Sequence, residues 1–493
     1  MEGCVWPFMV FGAAPVVYLV LWLRFRERAQ AWREAARAAG LTDVQTSTFM
    51  GVETKLAGRA GALRVRIESY SRGKSEHGSR VVIDGLRHGS YALAIRPEGV
   101  TSAFEKVVGE RELELGDEAF DREAYLQGAP ALIRAVFDAE TRRAMRALLG
   151  GKLRVTRRGA ARVVDVRASV SDNELRVDLP DRVFSSPLPW LPEVLKALLD
   201  VGARLQRPDD LAVKIAANTR VEPVPAVRLA NLQTLGREFP SHAATRDAFA
   251  AALDDEDLQV RLQAAIALGP DGRQALADIA NRDDVPDAIA ARAIEALGTE
   301  FGPERAIEKL DSAMRAGCPA VAQACISIIG AAGTPAGVDA LVRVLRSAQP
   351  SLAVPAAEAL GSAASAASAS EEVERALIEA LGSEAAEVRV AAAAVLARSG
   401  TPFAVIPLRN AVGAHPLDLE FRRAARQAIA QIQERVTGAS PGQLSLAADE
   451  AGQLTLAEED QRGRVSLEQD AAQDQEAAAR ARRAQGQRQT TKQ

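Results

Sequence analysis

Between residues 226 and 437 large apolar, small and again large apolar side chains return at fixed spacing. The clearest stretch runs from Asp257 to Gly269. Within it Val260, Ala264, Ala267 and Leu268 stand at spacings that fall on one face of a helix. Asp257 is placed to cap the start, and Gly269 to take the left-handed turn that ends it. Aligned on that last position, Gly236, Gly269, Gly298, Gly330, Gly361, Ala397 and Ala430 follow one another at intervals of 33, 29, 32, 31, 36 and 33 residues. The residue before each is Leu or Ile. Nine before stands a large apolar side chain, from Val227 through Val260, Ile289, Val321, Leu352 and Val388 to Phe421. Five before is small, except Asn231 in the first copy. Partner helices are predicted between the copies, over Thr245–Leu253, Gln274–Ala280, Pro303–Met314, Ala336–Leu345, Glu371–Leu381 and Phe403–Val412. A period of this length means helix pairs that bury their apolar faces on their neighbours. The fold class is therefore mainly α, an α-solenoid of about seven helix pairs over residues 226–437.

The pattern differs on either side. Residues 41–225 read as an α+β domain. Leu63, Val65 and Ile67 alternate with charged residues and lead through a polar loop to Val81–Ile83, a hairpin. Further strands are expected over Ser90–Ile95, Leu153–Thr156, Val163–Val170 and Glu174–Leu179, and helices over Pro130–Ala139, Glu140–Leu149 and Leu191–Leu205. Val5–Leu23 carries no charge and is long enough to be expected as a transmembrane helix. Arg24, Arg26, Arg28 and Arg33 follow it, which points to a single-pass protein of the cytoplasmic (inner) membrane with the bulk of the chain cytoplasmic. A juxtamembrane helix is expected over 26–40, within a first segment of 1–40. After 437 the periodicity stops. Residues 438–493 are too polar and charged to bury a core and are expected to form a disordered tail. Three similar pentapeptides recur in it, beginning at Gly442, Gly452 and Gly463. Their alternating apolar residues suit strand addition to a partner's sheet.

The recurring stretches resemble the HEAT repeat family in its short, lyase-type form. That resemblance implies a scaffold for protein–protein interaction. Arg228, Arg261, Arg389 and Arg422 recur directly after the large apolar position. In HEAT arrays such arginines often bond neighbouring repeats, and the sharper reading makes them a partner-binding row. The stretch from Gly116 to Asp121, Gly-Asp-Glu-Ala-Phe-Asp, with the strand and helices after it, resembles a membrane-tethered bacterial module of unknown function over about residues 40–180.

Composition narrows the chemistry. The 493 residues are 47% hydrophobic and only 4% aromatic, with a net charge of −4. That balance disfavours nucleic acid as the main partner. The three cysteines, Cys4, Cys318 and Cys325, are too few for a disulfide framework, and Cys325 falls where the other copies use alanine. The four histidines, His77, His88, His242 and His415, lack metal-ligand spacing. Gly73-Lys74-Ser75 is no phosphate loop, because Glu68 stands where the first glycine belongs. No catalytic, metal or cofactor-binding residue is assigned. The expectation is a membrane-tethered scaffold that binds protein partners and does no catalysis of its own. The alternatives are a lyase-like or glycosylase-like HEAT-repeat enzyme, or a basic-patch binder of lipid or nucleic acid.

Overall fold

The computed structural model describes residues 26–49, 52–72, 76–88, 93–97, 113–171, 173–181, 187–347, 349–363 and 370–435, together with 444–446 and 454–456. They fall into two compact units, residues 1–272 and 273–493.

The first unit is built on a sheet. Strands β1 (Thr42–Phe49), β2 (Val52–Ala60), β3 (Leu63–Arg72) and β4 (Glu76–Asp84) meander. After β5 (Leu93–Pro97) and β6 (Ala124–Gly128) the chain forms a separate hairpin, β7 (Lys152–Arg157) with β8 (Ala160–Asp165), and then β9 (Arg167–Ser171) and β10 (Glu174–Pro180). Among the described residues the main sheet has eight strands in the order β1-β2-β3-β4-β10-β9-β5-β6, and every pairing is antiparallel. The α+β expectation is thus corrected to a mostly antiparallel sheet. The single strand expected over Val163–Val170 divides at Val166, and its halves join different sheets.

Helix α1 covers residues 26–38. It packs on the sheet: Trp32 is fully buried and its indole N–H donates to Ser79 Oγ at 2.9 Å. Arg28 pairs with Asp181 and Arg33 with Glu53. Short helices α2 (Glu118–Asp121), α3 (Pro130–Val136) and α4 (Ala139–Leu149) follow, then α5 (Leu191–Arg204) and α6 (Leu211–Val221). The transmembrane helix expected over Val5–Leu23 lies outside the described residues. Among the described residues no helix is long and apolar enough to cross a membrane. The single-pass, inner-membrane reading is corrected accordingly.

Helices α7 (Pro225–Glu238), α8 (Ala243–Ala252) and α9 (Leu258–Leu268) complete the first unit. Leu232, Leu235, Phe249 and Val260 join the same buried core as Ile67, Val81 and Leu195.

The second unit continues the alternation with α10 (Arg273–Asn281), α11 (Asp287–Leu297), α12 (Pro303–Ala316), α13 (Pro319–Ala332), α14 (Pro335–Leu345), α15 (Pro350–Ala363), α16 (Ser370–Ala380), α17 (Ala386–Ser399), α18 (Val405–Ala414) and α19 (Leu419–Arg435). The recurring helices α11, α13, α15, α17 and α19 pack closely, each on the next, while α12, α14 and α16 touch one another little. Val321, Leu352, Val388 and Phe421 are all buried, as their spacing predicts. Pro355 sits inside α15 without ending it. The disordered tail expected after 437 lies mostly outside the described residues. Within it Leu444–Leu446 and Leu454–Leu456 pair as antiparallel strands β11 and β12.

The position that ends each recurring stretch serves two purposes. Gly269 and Gly298 have φ of +55° and +53°, where a side chain is strained. Gly330 lies within its helix, and a Cβ there would come 2.6 Å from the Ala359 Cβ of α15. At Gly330 close helix approach demands the missing side chain.

Two comparisons test this packing in thermal melts. Gly330→Ala is expected to destabilise by about 1–3 kcal/mol through overpacking. Gly413→Ala, whose Cβ would meet nothing within 4 Å in α18, is expected to be neutral or to stabilise by up to about 1 kcal/mol. Val260→Asp places a charge where the side chain is fully buried and is expected to abolish the cooperative transition of the first unit.

Candidate functional site

Buried charge concentrates where the helices after the sheet meet α7. The Gly116–Asp121 stretch forms a tight loop. Gly116 has φ of +94°, and a Cβ there would lie 3.1 Å from the backbone of Ala226 at the start of α7. Asp121 accepts hydrogen bonds from the Leu115 and Gly116 N–H groups at 3.0 and 2.9 Å. Asp117 caps α2 by accepting from the Phe120 N–H at 3.2 Å, and it also accepts from Arg142 Nε at 2.8 Å.

Arg142 is the hub. Its two terminal nitrogens fork onto Glu222 at 2.9 and 2.7 Å, and one of them also donates to the Phe137 carbonyl at 3.1 Å. Both side chains are almost fully buried, at 3% and 1% exposure. Glu222 further accepts from the Val224 N–H at 3.1 Å, which fixes the chain's entry into α7. Nearby, Arg134 donates to the Glu114 and Leu115 carbonyls, and Asn218 donates to the Arg134 and Ala135 carbonyls. Burial pushes Arg134 down to about 10. These groups satisfy one another and form a polar latch between α2–α4 and the α6–α7 connection.

The four arginines singled out in the repeats occupy different settings. Arg228 is buried. It forks onto Asp255 at 2.8 and 2.7 Å and donates to the Glu222 and Pro223 carbonyls. Arg389 repeats the arrangement: it donates to the Ser383 and Glu384 carbonyls, pairs with Asp418 at 2.6 Å, and lies over the Phe421 ring at 5.7 Å. Each thus ties the loop before its own helix to an aspartate about one repeat later. Arg422 donates to the Pro416 carbonyl at 3.3 Å. Arg261 is half-buried, with its Nε lacking a hydrogen-bond partner. At the same position α11, α13 and α15 carry Ala290, Ala322 and Ala353. There Asp287 of α11 instead accepts from the Ala320 and Val321 N–H groups at the start of α13.

Helices α7, α8 and α9 also line a cleft of about 810 Å³ with a floor that includes Leu232 and Phe249. Arg246 and Asp271 pair at 2.5 Å at its rim, with Arg237 and Gln263 beside them. Cys325 is buried among apolar side chains of α13, and burial pushes its thiol up to about 12, so it serves packing. Among the described residues no group of three or more His, Cys, Asp or Glu is placed to hold a metal ion.

Two measurements address the latch. Glu222→Gln leaves Arg142 buried with half its charge partners and is expected to cost about 3–5 kcal/mol, whereas the double change Arg142→Met/Glu222→Met costs much less. Asp117 gives the pH signature. Burial works to raise it, but the hydrogen bonds from Arg142 and the Phe120 N–H more than offset this and hold it below the ordinary aspartate range. A carboxylate depressed in the folded state contributes stability above its unfolded value of about 3.9, and that contribution is lost as pH falls through the folded value. Asp117→Asn is therefore expected to lower stability at neutral pH and to flatten the decline below about pH 4, read from denaturant midpoints across pH.

A family model described as HEAT repeats matches residues 273–361. No curated protein matches the chain. Among solved structures, an engineered protein is 22% identical, with 46% of this chain and 97% of that one covered and a TM-score of 0.24. A human deoxyhypusine hydroxylase in complex with glycerol is 17% identical, with 45% and 95% covered and a TM-score of 0.19. The resemblance of the N-terminal region to a membrane-anchored module finds no support, since the family match leaves residues 1–272 uncovered and no described helix can cross a membrane. What the repeat match supports is a HEAT-repeat domain in this chain, a helical scaffold of the kind typical of protein interaction.

Proposed function

We propose that the chain is a non-catalytic scaffold that holds a protein partner on the recurring-helix layer of residues 273–435. The observation that carries this reading is the packing of that layer. Its helices approach closely through alanine and glycine, while the partner helices spread. Unequal spacing of this kind curves a repeat array and presents a continuous face. The side chains left exposed on α11, α13, α15 and α17 are mixed and polar, among them Arg292, Glu295, Gln323, Ser327, Glu358 and Arg398. Mixed polarity around small side chains suits a protein surface better than a nucleic-acid backbone, which demands a basic stripe. The buried arginines Arg228 and Arg389 are proposed to hold neighbouring repeats in register, leaving recognition to the exposed face.

In-cell crosslinking of tagged full-length protein tests this against a form ending at Gly272 and against the double substitution Gln323→Arg/Ser327→Arg. The cut is placed after Gly272 because α7–α9 share the core of the sheet unit. A discrete protein partner is expected on the full chain, lost in the shortened form and weakened in the double variant. Undiminished recovery with the shortened form would contradict the proposal.

A further inference from the structure

One corner of the sheet carries an electrostatic cost that its own fold does not explain. Strand β1 is an outer strand, paired with β2 on one side and, among the described residues, with nothing on the other. Open edges are usually blunted by charge, proline or shortness. Here β1 carries one charge, Asp43, set off by the register shift between Thr42 and Gln45, and shifts again between Ser47 and Thr48. The stretch after it, Val44–Phe49, VQTSTF, contains neither charge nor proline, and residues 42–48 are all exposed.

Beside this edge Arg59 of β2 stands directly opposite Arg64 of β3. Both are exposed, and no carboxylate among the described residues pairs with either. Asp84, opposite Arg64 on the far ladder, is occupied by Arg66 Nε at 3.2 Å. Directly opposed like charges destabilise a sheet. Lys55, two pairs along β2 on the same face and opposite Glu68, extends the row. On β1 the residues in line with Arg59 and Lys55 are Thr42 and Ser47, short and neutral, with the longer Gln45 in line with Ala57 between them. They leave the cations open towards the edge.

We propose that this corner binds an extended acidic segment of a partner protein. The segment adds to β1 as a ninth strand and directs alternate carboxylates towards Arg59, Arg64 and Lys55. The unpaired N–H and C=O row of an edge strand is complementary to another polypeptide backbone. An added strand lies about 10 Å from β2, a gap that a glutamate and an arginine reaching towards each other close over the short side chains of β1. Single-stranded nucleic acid is disfavoured because it stacks on exposed aromatics. Tyr70, the aromatic of β3, is instead buried with its hydroxyl donating to Glu76 at 3.2 Å. This surface belongs to the sheet and does not depend on the reading of the repeats.

The test is fluorescence anisotropy of the full chain, at low salt, with a labelled ten-residue peptide of alternating threonine and glutamate. Controls are the threonine–lysine counterpart, a peptide N-methylated at the backbone positions that would face β1, and a ten-nucleotide oligouridine. Saturable binding of the acidic peptide alone is expected. N-methylation and the double substitution Arg59→Glu/Arg64→Glu should each weaken it about tenfold or more. Arg59→Glu by itself should raise the melting temperature, because it relieves the like-charge pair and meets only Thr42 on its other side, while still weakening the peptide. That combination separates lost recognition from lost folding. Equal affinity for oligouridine, indifference to N-methylation, or unchanged affinity in the double variant would overturn the proposal.

Discussion

Every recurring helix of this chain has one face too apolar to leave in water, and it can cover that face only with its neighbours. Val321, Leu352, Val388 and Phe421 are buried in this way, and the small side chains between them let the helices close to contact. Such an array needs its helices held in register. In the first unit the Arg228–Asp255 fork and in the second the Arg389–Asp418 pair join successive helix pairs with charge-assisted bonds, and both arginines also satisfy loop carbonyls. In α11, where alanine replaces arginine, Asp287 meets the free N–H groups at the start of α13.

The start of the repeats has a different cover. Helices α7–α9 share a core with the sheet, and the Arg142–Glu222 pair, nearly dry and fully hydrogen-bonded, fixes where the chain turns into α7. A buried pair of this kind adds little net stability but punishes any geometry that separates its members. The loop at Gly116–Asp121 therefore has a structural use independent of any ligand: it positions Asp117 for Arg142 and brings its backbone against Ala226.

The helical periodicity was legible because it is local. The predicted partner helices lie within about two residues of those observed, since an amphipathic stripe and its caps are written in consecutive residues. What depended on distant partners was not. Strands β1 and β2 are polar enough to read as loop, and only their pairing with β3 makes them sheet. The break at Val166 is decided by which partner each half finds. Helix α6 carries little amphipathic signal, being held by neighbours α3, α7 and α8. Arg142 and Glu222 are 80 residues apart, and nothing near either predicts the other. The recurring arginines were visible as a pattern. The carboxylates that Arg228 and Arg389 meet, about one repeat away, required the stacked geometry to be recognised. The apolar run at Val5–Leu23 suggested a membrane helix by composition alone, and the described helices, which are mixed in polarity, supply none.

Hydrogen–deuterium exchange of the full chain, resolved by peptide, tests most directly the claim that α7–α9 are stabilised as part of the sheet unit. The account predicts that amides of α7, α8 and α9 open together with β3, β4 and α5 as denaturant is raised, and that Glu222→Gln increases exchange across all of them while leaving α13–α17 unchanged. Opening of α7–α9 in step with α13–α17, indifferent to Glu222→Gln, would contradict it.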